Sequence, residues 1–120
     1  MSDYLPKFDE GDTVTITAAA TITGGQLVNV DGTVAGSAST TVAGVAGHDA
    51  VSGQTLTVWR VGIHLGTASG SITNGDGICA AASGQVRTWV SGTDAPASRI
   101  GRAWSAATNG NSVTYALFGV

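Results

Sequence analysis

The chain has 120 residues, of which 42% are hydrophobic, 11% are charged and 18 are glycine, and its net charge is −3. A chain of this length forms one domain around one modest hydrophobic core. Its five Lys and Arg residues are scattered along the sequence, which excludes the clustered basic surface that nucleic-acid binding requires.

The sequence predicts neither a transmembrane helix nor a signal peptide. No stretch approaches the 18 or more apolar residues of a membrane span, and the N-terminal residues are acidic rather than basic. Cys79 is the single cysteine, so no disulfide can form within the chain. This agrees with synthesis in a reducing cytoplasm.

The first residues differ from the rest, and we predict an extended N-terminal arm over residues 1–11 ahead of a single β domain over residues 12–120. Pro6 disfavours a helix and favours an extended backbone at Leu5. The arm is acidic, yet it carries more large apolar side chains than a solvated tail needs. We therefore expect it to order against a partner, the alternative being a frayed terminus. The expected anchors are Tyr4, Leu5, Pro6 and Phe8.

From residue 13 onward, short runs of alternating apolar and polar residues predict β-strands. The first run, 13–17, places Val14 and Ile16 on one face. Further short strands are predicted at 26–30, 33–35 and 42–46, with a hairpin turn at Asp31-Gly32. The clearest strand is 54–61, whose alternate residues separate Leu56 and Val58 from the threonines and Trp59.

The second half of the chain continues this pattern. Residues 62–66 continue the preceding strand or pair with it, and later strands are predicted at 78–80, 85–90, 99–104 and 112–118. One helical turn near 80–83 is the best helix candidate, and no repeat of fixed period is apparent. Eight to ten short strands with glycine-rich turns predict an all-β fold, a single compact β-barrel or sandwich.

The sequence offers no catalytic or metal-binding constellation. His48 and Asp49 are adjacent in the chain, so on a strand their side chains would point to opposite faces; a polar turn is expected there. His64 lies opposite Ile63 and Leu65 and is expected at the surface or in a subunit contact. Two histidines and one distant cysteine match no zinc spacing. We predict a protein that is not an enzyme and has no cofactor.

The tryptophans point to an interaction surface. Trp59 shares its face with threonines, and Trp89 shares its face with Arg87. Aromatic and arginine side chains on an otherwise bland surface are typical of the centres of protein–protein contacts. We therefore predict a subunit or partner interface that includes Trp59, Arg87 and Trp89. The alternative is that these tryptophans, with Trp104, fill the core.

Four segments carry a family resemblance through the order of their small residues. A Gly-Val-Ala strand and an alanine-rich turn lead into a valine-rich strand over 42–64. A Gly-Asp pair precedes an apolar strand within 68–86, and an Ile-Gly-x-Ala element with a final strand closes 99–118. The chain opens with Pro6-x-Phe8-x-x-Gly11. This order, over residues 6–118, resembles the small capsid decoration (cement) proteins of tailed bacteriophages. The sequence departs from their pattern at Arg102, where an apolar residue is expected.

The resemblance implies a non-enzymatic virion protein, made in the host bacterial cytoplasm. Such a protein binds the outer surface of the capsid and reinforces contacts between major capsid protein subunits. It implies a homotrimer on the capsid, and no catalytic residue or cofactor. The arm would add a strand to an exposed edge of the capsid protein. The alternatives are another virion module, in a tail or fibre, and a carbohydrate-binding β-sandwich with tryptophan stacking platforms.

Overall fold

The computed structural model describes residues 13–118, and only the backbone of Phe118. The predicted arm and its four anchors lie outside the described residues. Sheet 1 is formed by β1 (Thr13–Thr17), β2 (Leu27–Asn29), β3 (Val42–Ala46) and β4 (Thr55–Trp59). Sheet 2 is formed by β5 (Val61–Thr67), β6 (Gly77–Ala80), β7 (Val86–Thr88), β8 (Gly101–Ala103) and β9 (Ser112–Phe118). The strand order is β1-β4-β3-β2 in sheet 1 and β5-β9-β8-β6-β7 in sheet 2.

The all-β prediction is confirmed. The described residues form nine strands and two short 3₁₀ turns, Ala82–Gly84 and Pro96–Ser98. The predicted strand at 33–35 is reduced to one bridge between Val34 and Val28. Just before this bridge the Asp31 carboxylate accepts hydrogen bonds from the backbone N–H and the hydroxyl of Thr33, which hold the chain in a tight turn. The predicted strand at 54–61 is two strands: the chain leaves sheet 1 after Trp59 and enters sheet 2 at Val61.

The two sheets are two copies of one structural motif, repeat 1 (residues 13–59) and repeat 2 (residues 61–118). Their strands have the same order, with β7 added at the end of sheet 2. Their registers also correspond. The pairs Val28↔Gly44 and Ala46↔Val58 of repeat 1 match Ile78↔Gly101 and Ala103↔Tyr115 of repeat 2.

Sequence analysis found no repeat of fixed period because the spacing between equivalent residues changes along the chain. Val28 and Ile78 are 50 positions apart, whereas Gly44 and Gly101 are 57 positions apart. The difference arises in the segment between the second and third strands of each motif. In repeat 2 this segment contains β7 and both 3₁₀ turns. Equivalent residues after it are therefore farther apart in sequence than equivalent residues before it.

Each repeat surrounds its own small set of buried side chains. In repeat 1, Val28, Leu56 and Val58 form a cluster with four alanines and Ile22. In repeat 2, the equivalent residues Ile78, Val113 and Tyr115 belong to a larger main core. The main core also receives four side chains from repeat 1, namely Leu27, Ala35, Val42 and Val45. Strand β3 is therefore buried on both faces, and it joins the two repeats.

One glycine in each repeat permits a close approach between strands. A Cβ on Gly44 would collide with the carbonyl oxygen of Trp59, and a Cβ on Gly101 would collide with that of Ala116. Gly44 lies at an irregularity in the β2–β3 register and has a φ of 155°, which side chains rarely adopt. Glycine is thus required at the same place in both motifs.

Replacing either glycine by alanine should destabilise the fold by at least about 2 kcal/mol, through the collision and, at Gly44, backbone strain as well. Gly36→Ala is the matched control, because its Cβ would meet no atom within 4 Å and should change stability by less than about 0.5 kcal/mol. Urea denaturation of the three variants measures these differences. Equal midpoints for Gly44→Ala and Gly36→Ala would show that the close approach is not required.

Candidate interaction surfaces

Trp59 lies at the point where the chain passes from sheet 1 to sheet 2. Its side chain is 43% exposed, and it pairs with Thr13 on one side and Val45 on the other. A shallow concavity of about 400 Å³ begins at Trp59 and is lined by Val61, Gly62, Ile63 and His64. An exposed indole at the rim of an apolar depression suits contact with an apolar segment of a partner.

His64 is half-buried beside this concavity. Its Nε2 donates a hydrogen bond to the carbonyl oxygen of Val61 at 3.0 Å. The imidazole lies between two rings, 6.4 Å from that of Trp59 and 6.1 Å from that of Tyr115. His64 lies on the face of β5 opposite Ile63 and Leu65, as predicted, at the position that Val14 has in repeat 1. Whether it takes part in a subunit contact stays a prediction.

Tyr115 forms the inner end of this row of rings. It is fully buried, and its hydroxyl has no hydrogen-bond partner among the described residues. Burial raises the pKa of this phenol above its ordinary value, so it is neutral throughout the physiological range. The pair His64↔Tyr115 occupies the place of the pair Val14↔Val58 of repeat 1. Through His64 it extends the aromatic contact of Trp59 into the core.

Arg87 and Asp94 form an ion pair at the edge of sheet 2. Two guanidinium nitrogens of Arg87 donate to the two carboxylate oxygens of Asp94 at 2.9 and 2.8 Å. The Asp94 carboxylate also accepts the backbone N–H of Val90, and Arg87 Nε donates to Ser37 of repeat 1 at 3.2 Å. Chiefly through the Arg87 hydrogen bonds, the pKa of Asp94 falls to about 2.

Trp89 lies next to this ion pair and is half-buried. Its indole N–H donates to the carbonyl oxygen of Ala95 at 3.0 Å, and the Arg99 guanidinium lies 5.8 Å from its ring centre, within cation–π range. Arg87 and Trp89 thus hold one loop together, through Asp94 and Ala95. Trp59 lies on the other sheet, so the three predicted interface residues do not form one site.

Sequence analysis missed a group of exposed apolar side chains on sheet 2. Ile63 and Leu65 are 50% and 64% exposed, and Trp104 is 59% exposed. Their strands place them on one surface, the outer face of sheet 2: Leu65 pairs with Thr114 on β9, and Trp104 donates its N–H to the Thr114 carbonyl. Arg102 lies beside them, paired with Ala116, and is exposed. The alternation of residues along β9 identifies this shared face only when the pairing of β5 with β9 is known.

Other chemistry is sparse in the described part of the chain. Cys79 is buried, as expected for a small hydrophobe, and His48 lies in an exposed turn. Residues 13–118 contain no group of three His, Cys, Asp or Glu side chains that could hold a metal ion. The same residues include no helix long and apolar enough to cross a membrane.

The chain is similar to a known protein family and to a solved structure. A model of the family described as phage cement protein matches residues 8–117. The fold is similar to the crystal structure of the head fiber gp8.5 N base of bacteriophage phi29, with a TM-score of 0.66 and 21% sequence identity. The similarity covers 88% of this chain and 93% of that one. No curated protein matches.

Replacing Asp94 by asparagine should destabilise the protein at pH 7 and leave it unchanged near pH 2. The folded pKa is lowered to about 2 from 3.8, so the carboxylate stabilises the fold above about pH 4, and this contribution is lost as the pH falls towards 2. Thermal unfolding at pH 7, 4 and 2 tests this. Asp49→Asn is the control, because Asn can still accept the Gly24 N–H. A pH-independent difference between Asp94→Asn and the parent would contradict the assignment.

Proposed function

The chain belongs to the phage cement protein family and is a phage virion structural protein, and on that premise we propose that it binds the outer surface of the capsid. There it stabilises contacts between major capsid protein subunits and performs no catalysis. The family match over residues 8–117 carries this proposal. The fold supports capsid binding, because the described residues present exposed apolar and aromatic side chains such as Trp59 and Trp104 to a partner.

The distribution of charge suits dense coverage of a shell. The first 12 residues hold four acidic side chains and one lysine, and they account for the whole net charge of −3. The remaining four arginines and four aspartates balance. Copies with a neutral body can lie side by side without strong mutual repulsion. Many moderate contacts, made at once over the shell, then give firm attachment.

The N-terminal arm and Trp59 form one capsid-binding surface in this proposal. Strand β1 begins at Thr13, directly opposite Trp59, so the arm is rooted beside the exposed indole and the concavity next to it. The anchors Tyr4, Leu5, Pro6 and Phe8 contact the capsid protein as an added strand. Main-chain hydrogen bonds give such a contact its affinity, and alternate side chains give it specificity.

Arg87 and Trp89 contribute a second partner contact by shaping the loop that follows β7. The ion pair to Asp94 and the hydrogen bond to Ala95 fix this loop. Val90, at the start of the loop, is exposed. A loop held in one conformation binds without first losing conformational freedom.

The fold favours one alternative role, that of a base that attaches a fibre to the head. The similar structure from phi29 is the base of a head fiber. Electron microscopy of decorated particles separates the two roles. A cement protein forms a regular lattice of short protrusions over the shell, whereas a fibre base lies beneath long projections.

The decisive experiment mixes the purified full chain with heads of its own phage that lack it. We expect co-sedimentation with the heads that saturates at a fixed number of copies, and greater resistance of the decorated heads to heating or chelators. An unrelated β-domain of similar size serves as control. Heads that bind nothing, or that bind without any gain in stability, would contradict the proposal.

A variant that begins at Gly11 should keep the fold and bind heads at least about 10-fold more weakly, since it loses three large apolar contacts and the strand pairing. Trp59→Ala should weaken binding in the same direction. Val51→Ala, at an equally exposed position away from Trp59, is the control. If the shortened chain decorates heads as tightly as the full chain, the arm is only a tail. If it fails to fold, the arm belongs to the core.

A further inference from the structure

The open edge of β5 begins beside the point where the N-terminal arm joins the domain. Among residues 13–118, β5 is an edge strand of sheet 2 and pairs along its length with β9. Thr13 pairs with Trp59, and β5 begins just beyond this pair, at Val61. The 12 residues that precede Thr13 are enough to follow all seven residues of β5 in an extended conformation.

The backbone groups of β5 alternate between β9 and this open edge. Directly after β5, the Ala68 N–H donates to the Asn111 carbonyl on the β9 side at 2.8 Å. The ladder between β5 and β9 is unbroken, so alternate residues back to His64 also face β9. Ile63 and Leu65 lie between them and direct their N–H and C=O groups to the open edge. Such a row of groups is a template for another strand.

The chain rotates about its own axis between β4 and β5. Trp59 and His64 are five positions apart, so in a regular strand their side chains would lie on opposite faces. Both instead lie on the face of the main core, because their partners Val45 and Tyr115 belong to that core. The chain therefore makes about half a turn between them, in a segment where Gly62 has a φ of 109°.

This rotation decides which edge of β5 lies on the side of β1. Before the rotation, even-numbered residues of β4 face β1, since the Gln54 carbonyl accepts the Ala18 N–H at 2.9 Å. After it, even-numbered residues of β5 face β9. Because half a turn exchanges the two edges of a strand, the side of β4 that carries β1 continues as the open edge of β5. A chain that extends β1 beyond Thr13 therefore runs antiparallel along this edge.

Two concavities follow one another along the open edge. The first, of about 400 Å³, is lined by Trp59 and residues 61–64. The second, of about 440 Å³, is lined by residues 65–67 and by the turns at 23–26 and 83–85. Together they make a groove beside the whole length of β5.

An extended chain that continues β1 carries large apolar side chains to both concavities. Counted from the pair of Thr13 with Trp59, Phe8 reaches the first concavity, beside the exposed indole of Trp59. Tyr4 and Leu5 reach the second. A strand edge with such hollows suits this segment, because main-chain hydrogen bonds give affinity and side-chain contacts give specificity.

Charge complementarity also favours the arm as the occupant of this groove. Its last four residues include three acidic side chains, namely Asp9, Glu10 and Asp12. Arg60 lies between β4 and β5. Extension of β1 by one residue places Asp12 opposite Arg60, and opposite charges on paired strands stabilise the pairing.

We propose that, in the free chain, the N-terminal arm adds to sheet 2 as a strand antiparallel to β5, with Phe8 in the first concavity and Tyr4 and Leu5 in the second. Pro6 is compatible with this place, because the arm becomes the outermost strand. The arm covers an edge that is open to unspecific pairing, and it is ordered before it meets the capsid protein. Since a strand has two edges, its outer edge remains for the capsid contact.

Cross-linking within one chain tests the position of the arm. The full chain with Lys7→Cys and Leu65→Cys, treated with a short bismaleimide, should give a product with the mass of one chain. Its yield should exceed that of the control by about 10-fold or more. The control is Lys7→Cys with Val51→Cys, because Val51 is similarly exposed but lies before β4, far from Trp59. Cys79 is buried and does not compete. Equal yields, or products of two chains in place of one, would overturn the proposal.

Amide hydrogen exchange measures the strand pairing itself. In the full chain the N–H groups of Ile63 and Leu65 should exchange slowly, as in a paired strand. Phe8→Ser should speed their exchange by about 10-fold or more, and Asp3→Ser, the control beyond the groove, by less than about 3-fold. The His64 N–H, which faces β9, should stay protected in all three chains. Unprotected Ile63 and Leu65 in the full chain, or equal rates in Phe8→Ser and the parent, would overturn the proposal.

The outcomes separate this proposal from that of capsid binding, because it concerns the free chain and does not rest on the capsid. If the arm links to β5 while the chain ignores heads, only the capsid proposal fails. If the chain binds heads while Ile63 and Leu65 exchange freely in solution, only the pairing of the arm with β5 is wrong.

Discussion

The structure depends on two places where a backbone carbonyl lies directly over a glycine. The Trp59 carbonyl approaches Gly44, and the Ala116 carbonyl approaches Gly101. With no side chain in the way, neighbouring strands come close and each sheet curls around its own small set of apolar residues. The curl lets about 50 residues bury a core of valine, alanine and isoleucine with few aromatic side chains. Both sheets have this close approach at equivalent positions of the same motif.

The correspondence between the two repeats relates features that otherwise look unconnected. Arg102 departs from the apolar residue that the family pattern leads one to expect, and Val45 occupies the equivalent position in repeat 1. Val45 is covered by repeat 2, whereas Arg102 is exposed. The pair His64 and Tyr115 likewise takes the place of Val14 and Val58. The β2–β3 part of the outer face of repeat 1 thus lies in the main core, whereas the corresponding part of repeat 2 exposes Arg102.

Much of the fold could be predicted from local pattern. Alternation identified β1 and β4 because each has one face on a core and one on solvent, and glycine-containing turns marked most of the breaks between strands. The β5 orientation could not be predicted in this way. Ile63 and Leu65 are apolar, yet His64 is the residue that faces inward, because its partners are Tyr115 and the Val61 carbonyl. Only the register with β9 reveals this, and that register joins distant parts of the chain.

The interface residues show the same limit. The exposure of Trp59 could be predicted because threonines occupy the alternate positions before it. The ion pair between Arg87 and Asp94 could not be predicted, because it depends on the conformation of the loop that follows β7. A core position for Trp104 was one of the alternatives that the sequence left open; the structure places Trp104 on the exposed face that it shares with Thr114 and Leu65. The duplication itself was hidden by the added β7 segment, which changes the spacing between equivalent residues.

The most direct test is a cryo-electron microscopy reconstruction of heads decorated with this protein, at a resolution that shows side chains. The account predicts density for the arm against the capsid protein, beside Trp59, which pairs with the first residue of β1. An arm without contact to the shell would contradict it.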